Sequence, residues 1–290
     1  MKALSLHSIV PVRSEAREGA EQETQMLFGE LCEILSREPL DTNLPPKWYY
    51  VRLEADEQEG YVDAKMISPI AGKDYSAYKK ALKEAALVAM PMAYAVSENN
   101  GQTIPLSAGT KLTNYRLQTA NGAQIGHFEV LGVGFRIDPG MVADKPLEMS
   151  PQNLMQVVRF FLNVPYLWGG KNAMGMDCSG FTQIIMSLFG KNLPRNASQQ
   201  ARCGINIPSL QKAKPGDLVF FDHEDGKISH VGIILQSAAT NEQSPVTLIH
   251  CSGRVKVEKL DETGIFSVEQ ADTDHPQGRY THHLVSIQRI

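Results

Sequence analysis

The 290-residue sequence predicts an α+β protein, with two small β-barrels followed by a domain in which helices precede an antiparallel sheet. Three observations predict it. Residues 1–70 and 91–145 alternate short apolar runs with Gly, Pro and Asn turns. Residues 151–189 carry two stretches of helical period. Beyond residue 216, β-rich runs follow one another across short turns, with none of the long crossovers that a parallel sheet requires.

The first barrel is assigned to residues 1–72. Leu4–Val10, Met26–Phe28, Leu31–Leu35 and Trp48–Leu53 read as its strands, punctuated by Gly19, Gly29, Pro45-Pro46 and Gly60. The period then changes. Tyr78, Ala81, Leu82, Ala85 and Val88-Ala89 follow helical spacing until Pro91, so residues 73–90 are expected to be a helical connector. Residues 91–147 form the second expected barrel. Asn99-Asn100-Gly101 and Asn121-Gly122 are hairpin turn signals, and Lys111–Leu117 and His127–Leu131 flank the second of them. Pro139-Gly140 and Lys145-Pro146 mark the linker into the third domain, residues 148–290.

That domain opens on Ser150-Pro151, an N-cap followed by proline at the first helical position. Leu154, Val157, Val158, Phe161 and Leu162 then form one apolar face. Phe181, Ile184, Ile185, Leu188 and Phe189 mark a second helix, with Gly190 just past its end. Strands are expected at Asp217–Phe221, His230–Leu235, Val246–Cys251 and His282–Ile287.

Composition narrows the function. A formal net charge of −4 argues against a dedicated nucleic-acid binder. No apolar stretch approaches the ~20 residues of a spanning helix, and Ser5, His7 and Ser8 interrupt the N-terminal run where a signal peptide needs continuity. A cytoplasmic protein without membrane or nucleic-acid partners is expected, and a monomer. The four cysteines, Cys32, Cys178, Cys203 and Cys251, are too sparse for a disulfide scaffold and form no C-x-x-C pair.

Cys178 stands apart. Asp177 falls at the N-cap of the second helix, which puts Cys178 in the first turn, where exposed N–H groups and the positive helix end favour a thiolate. A cysteine nucleophile needs a base and a group that orients the base. His230 opens one strand and His250 closes the next, and neighbouring antiparallel strands can set them side by side, with His230 as base and His250 as orienter. A metal site built from Cys178, His230, His250 and Cys251 matches no standard ligand spacing, so neither metal nor cofactor is expected. The remaining histidines are expected to be solvated structural residues.

The segment Val164–Phe181, containing Tyr166-Leu167-Trp168-Gly169-Gly170 and Asp177-Cys178-Ser179-Gly180-Phe181, resembles the core motif of the NlpC-type cysteine peptidases, papain-like enzymes that cut bacterial cell-wall peptides. Leu193-Pro194-Arg195, Lys214–Phe221 and Ser229-His230-Val231-Gly232 continue the likeness in order. Two barrels ahead of such a domain, with Glu23–Glu30 in the first, are similar to the YkfC-like branch. Its members carry bacterial SH3-like domains and act as γ-D-glutamyl-L-diamino acid endopeptidases in murein peptide recycling. The resemblance implies a papain-like catalytic domain preceded by two SH3-like barrels. It implies Cys178 as nucleophile, His230 as base and His250 as third member. The Cys178 N–H and the Tyr166 hydroxyl would stabilise the oxyanion. Glu23 and Asp177 would hold the free ammonium of peptides such as L-Ala-γ-D-Glu-diamino acid, with Ser179, Trp168 and Tyr61 lining the same pocket.

Two departures stand out. Gln58-Glu59-Gly60-Tyr61-Val62 replaces the branch's Gly-Tyr-x-Gly-Trp loop, and Ala197 stands where relatives can have a pocket serine. Two other readings remain open on sequence alone. One is a thiol amidase or acyltransferase acting on other amides; the other is a non-catalytic murein-binding module.

Overall fold

The structure is a computed structural model that describes residues 1–39, 44–120, 122–222, 226–237 and 245–290. The chain forms two compact units. Unit 1 comprises Met1–Leu147 and Trp168–Ala173; unit 2 comprises Glu148–Leu167 and Met174–Ile290.

Unit 1 begins with a seven-stranded antiparallel sheet: β1 (Lys2–Ser5), β2 (Ile9–Arg13), β3 (Gln22–Leu27), β4 (Leu31–Glu38), β5 (Trp48–Leu53), β6 (Glu59–Asp63) and β7 (Ile67–Pro69), in the order β3-β2-β6-β5-β4-β1-β7. Alternation sends Val10, Val12, Met26, Cys32, Ile34, Val51 and Val62 into one core. Helix α1 (Gly72–Ala81) follows, but the helical period does not continue to residue 90 as expected. Ala86–Val88 is strand β8, between β11 (Lys111–Leu112) and β15 (Val142–Ala143). A run of Ala, Leu and Val satisfies either period, and the two partner strands decide it. The five-stranded sheet contains β9 (Met92–Ser97), β10 (Thr103–Ser107), β12 (Arg116–Ala120), β13 (Ala123–Val130) and β14 (Val133–Ile137), ordered β10-β9-β14-β13-β12. Asn121 of the expected Asn121-Gly122 turn lies outside the described residues. Leu4, Phe28 and Leu31 of the first sheet share a core with Tyr78 of α1 and with Phe128, Phe135 and Ile137 of the five-stranded sheet. Residues 1–147 therefore hold one core within the first sheet and a second that the first sheet shares with α1 and the five-stranded sheet.

Strand β16 (Lys171–Asn172) belongs to unit 1. The buried Lys171 Nζ donates to both carboxylate oxygens of Glu30 at 3.1 Å, and Gln25 Oε1 accepts from Lys171 N–H (3.0 Å) and Asn172 Nδ2 (2.8 Å). Gly169 has φ +71°, and a Cβ there would stand 2.3 Å from the carbonyl oxygen of Gln22. Only glycine permits that approach.

Unit 2 is α+β, as expected. Helix α2 (Pro151–Val158) is capped by Ser150, whose Oγ accepts from Asn153 N–H at 3.1 Å, and buries Leu154, Val157 and Val158. Strand β17 (Gly175–Met176) leads into helix α3 (Cys178–Leu188), and a short α4 (Ala197–Gln200) follows. The sheet contains β18 (Ile205–Asn206), β19 (Leu218–Asp222), β20 (His230–Gln236), β21 (Val246–Ser252), β22 (Arg254–Leu260), β23 (Gly264–Ser267) and β24 (Arg279–Arg289). It is antiparallel, in the order β18-β24-β19-β20-β21-β22-β23, and β23 also pairs with β24. That second pairing closes a six-stranded barrel, which goes beyond the open sheet that four expected strands implied. Val219, Phe221, Ile234, Val246, Leu248, Leu260, Ile265 and Ile287 form the core of this barrel.

Candidate active site

Asp177 is the N-cap of α3. Its Oδ1 accepts from Gly180 N–H at 2.7 Å, which fixes Cys178 as the first helical residue. The carboxylate has a second partner that the sequence reading did not assign. Arg195, 1% exposed, donates from Nη1 to Oδ1 (3.0 Å) and from Nη2 to Oδ2 (2.6 Å), and Nη1 also donates to Ser179 Oγ (2.9 Å). Asp177 and Ser179 thus spend their polar atoms on a buried guanidinium. The sequence reading expects Asp177 to share the substrate ammonium with Glu23; in the structure this carboxylate also carries the Arg195 fork. Gln200 ties the next turn down: its Nε2 donates to the carbonyls of Ser179 (3.1 Å) and Pro194 (2.9 Å), and its Oε1 accepts from Thr182 Oγ1 (2.7 Å). Ala197 is buried and Ser198 points to solvent, so Ser198 does not replace the missing pocket serine within this unit.

The Cys178 sulfur lies against the start of β20. It is 4.0 Å from the carbonyl oxygen of Ser229 and accepts from the N–H of Val231, the two neighbours of His230. Burial pushes the thiol up to about 12, with the Asp177 charge adding to it; the Val231 and Ser179 N–H groups oppose this without overcoming it. The expected thiolate at the helix end is therefore overridden by desolvation. At neutral pH the thiol keeps its proton and depends on a base.

His230 and His250 are both buried, and their rings meet edge to face. His230 Nε2 is 2.8 Å from His250 Nδ1, and His250 Nε2 is 2.8 Å from Glu258 Oε2. The register explains this line. Gly232 pairs with His250, which puts His230 on the adjacent diagonal of the same face. A Cβ on Gly232 would come within 2.7 Å of Leu248 Cδ1 and 3.1 Å of His250 Cβ, so glycine makes room for the strand that carries His250. On the next strand, Lys256 pairs with His250 and Glu258 pairs with Leu248, so Glu258 is again the diagonal neighbour. His230, His250 and Glu258 share the face of Leu248 and Leu260, which is the barrel interior. Cys251 faces the other way and donates its thiol to the Met176 carbonyl at 3.1 Å.

A third histidine completes the cluster. His282 is buried on β24, its ring 4.3 Å from that of His230 at an interplanar angle of 31°, with Nδ1 2.9 Å from Thr281 Oγ1. The expectation of a solvated structural role does not hold for this residue. Barrel closure brings it here, and closure is a long-range event without a local signal. Tyr166, half-buried, lies on the Cys178 side: burial first, then the charges of Cys178 and Asp177, push its phenol up, so it is a neutral O–H donor at neutral pH.

The other expected substrate residues lie in unit 1. Glu23 is half-buried on β3. Tyr61 is half-buried on β6 with its ring 4.9 Å from that of Tyr50. Trp168 is 58% exposed, and its carbonyl accepts from Gln22 Nε2 at 3.0 Å. Unit 2 therefore gathers Cys178, His230, His250, Tyr166, Asp177 and Ser179, together with Arg195, Glu258 and His282.

A cysteine at a capped helix start, set against a histidine pair on adjacent strands, occurs here within a stretch that matches a known family: residues 163–281 match the NlpC/P60 family. They are an NlpC/P60 domain. The chain is 35% identical over 152 residues to the γ-D-glutamyl-L-lysine dipeptidyl-peptidase of Bacillus subtilis, a match covering 51% of this chain and 49% of that protein. It is 33% identical over 158 residues to the γ-DL-glutamyl hydrolase of the same organism, covering 52% of this chain and 35% of that one. The chain spans less than half the length of either relative. An NlpC/P60 family protein of Bacillus cereus, known from a crystal structure, shares the fold with a TM-score of 0.75 at 16% identity, over 100% of this chain and 99% of that one.

Proposed function

We propose that this protein is a cysteine peptidase that hydrolyses the γ-D-glutamyl-L-diamino acid bond of short murein peptides bearing a free N-terminal L-Ala, in the recycling of cell-wall peptides. The observation that carries the reading is Cys178 at the start of α3 lying against Ser229 and Val231, the two neighbours of His230, with His230 hydrogen-bonded to His250. In this reading His230 takes the Cys178 proton as the sulfur attacks the γ-glutamyl carbonyl carbon. The Cys178 N–H and the Tyr166 O–H donate to the oxyanion. His230 then protonates the departing amine of the diamino acid, leaving a thioester. Water, deprotonated by His230, attacks that thioester, releases L-Ala-D-Glu and restores the thiol.

Both Bacillus subtilis relatives carry a γ-glutamyl group in their names, which supports the choice of bond. Glu23 and Asp177 are the carboxylates we assign to the substrate ammonium, Asp177 being held in place by its Arg195 partner. Trp168 and Tyr61 are assigned to the same substrate end.

The test is to incubate the protein with L-Ala-γ-D-Glu-L-Lys and with the diaminopimelate analogue, and to follow the products by mass spectrometry. Release of L-Ala-D-Glu is expected, abolished by Cys178→Ala and by acetylation of the substrate amine. Equal turnover of free and acetylated peptide would remove the amine requirement. No L-Ala-D-Glu from protein whose Cys178 reacts with iodoacetamide would remove the substrate assignment.

A further inference from the structure

A histidine as third member leaves a problem that a carboxylate would not. A carboxylate only accepts, so it dictates which nitrogen of the base holds the proton. A neutral imidazole has two tautomers, and only one of them accepts at Nδ1. Some further group must choose. Glu258 is the group in contact: its side chain is 7% exposed, and its Oε2 lies 2.8 Å from His250 Nε2.

We infer that Glu258 is a positioning residue that sets the direction of the relay. Its carboxylate holds the proton on His250 Nε2, leaves His250 Nδ1 bare to accept from His230 Nε2–H, and so leaves His230 Nδ1 as the basic atom. No atom is transferred in this assignment, which fixes where the His250 and His230 protons sit before chemistry begins. Two further features support it. Burial depresses the pKa of His250 despite the opposing Glu258 charge, so its imidazole is neutral and one nitrogen must be bare. Burial alone would raise Glu258, yet the His250 hydrogen bond and the Lys256 charge hold its carboxyl down to about 2, so it is an ionised acceptor at neutral pH. Lys256 Nζ is 3.3 Å from Glu258 Oε2 and 3.3 Å from Glu269 Oε2, and Arg254 also pairs with Glu269, which extends the network outward. The titratable and charged groups around the pair of imidazoles are His282 from β24, Lys256 and Glu258 from β22, and Glu269 beyond them.

The inference rests on His230 being the base, and its test is independent of the peptide substrate. Histidine ¹⁵N spectra and the pH dependence of Cys178 alkylation by iodoacetamide are compared for the wild type, Glu258→Gln and Glu258→Leu. The wild type is expected to show His250 protonated at Nε2. Glu258→Gln keeps an acceptor but loses the charge. Glu258→Leu loses both, and mixed His250 tautomers are expected. The negative charge stabilises the imidazolium formed with the thiolate, so its removal slows alkylation near pH 7. A change of about one pKa unit in the ion pair corresponds to about tenfold for Glu258→Leu, with Glu258→Gln between the two. The deficit is expected to persist through neutral and mildly alkaline pH, because the Cys178 thiol by itself ionises only near 12. A His250 protonated at Nδ1 in the wild type would overturn the inference. So would wild-type alkylation profiles in both variants. If Glu258→Leu fails to fold, a Glu258→Gln profile superimposable on the wild type overturns it. Loss of murein peptide cleavage with these profiles intact would overturn the substrate reading alone.

Discussion

Each unit buries a basic side chain against a carboxylate, but the two pairs have different surroundings. In unit 1, Lys171 meets Glu30 as a point charge, and Glu30 keeps 20% of its side-chain surface and a second donor, the Leu27 N–H at 2.9 Å. In unit 2, Arg195 forks onto Asp177 with both side chains almost wholly enclosed, and the same carboxylate caps the helix that presents Cys178. One pair anchors the Trp168–Ala173 stretch within unit 1; the other sets the position of the nucleophile. The contrast teaches that the cost of losing a buried cation depends on whether the remaining carboxylate can reach water or another donor.

The largest expected effect follows from this. Arg195→Leu leaves Asp177 charged and enclosed, and is expected to destabilise unit 2 by about 3–5 kcal/mol; urea unfolding followed by far-UV circular dichroism measures it. A loss below that of the corresponding lysine variant would break the comparison.

A second enclosed carboxylate of unit 2 gives an effect of acid. Glu258 titrates at about 2 in the folded chain, against an ordinary value of 4.5. Its ionised form therefore stabilises the fold above about pH 4.5, and that contribution disappears as the pH falls toward 2. The gain is at most about 3 kcal/mol. The drop in Tm between pH 6 and pH 3 is expected to be smaller in Glu258→Gln than in the wild type, and equal drops would count against an ionised buried Glu258.

Lys171→Met is expected to cost less, about 1–2 kcal/mol, because Glu30 can take up water and retains the Leu27 N–H. Limited proteolysis, with cleavage mapped within residues 168–173, sharpens the point: the variant is expected to be cut faster there. The smallest effect belongs to His282. Replacing it with Ala removes one ring face from His230, which at about 0.5–1.5 kcal/mol corresponds to a several-fold fall in the rate of Cys178 alkylation. His282→Phe is expected to keep most of that rate, since it keeps the stack.

The candidate site was legible where its signals are local. The Asp177 cap, the first-turn position of Cys178 and the strand ends carrying His230 and His250 each follow from a few neighbouring residues. Arg195 stands in the Leu193-Pro194-Arg195 motif, but nothing near it in sequence says that its guanidinium turns back to Asp177. Glu258 is harder still. The run Arg254-Val255-Lys256-Val257-Glu258 alternates, and hydrophobicity alone would turn both valines inward and Glu258 outward. Instead Val257 is exposed and Glu258 is enclosed, because the diagonal to His250 outweighs the apolar preference. Ala86–Val88 shows the same override in the fold: its residues fit a helix as well as a strand, and β11 and β15 decide.

By itself the sequence determined the helix start that presents the thiol and the two histidines on adjacent strands. These depend on caps, periods and turns, which act over a few residues. The tertiary structure alone decided that the last sheet closes into a barrel, that Arg195 occupies Asp177, that burial keeps the thiol protonated, and that Glu258 and His282 flank the histidine pair. Each of these is a contact or a desolvation between residues far apart in the chain, where the free energy depends on who the neighbour is and no local pattern names it.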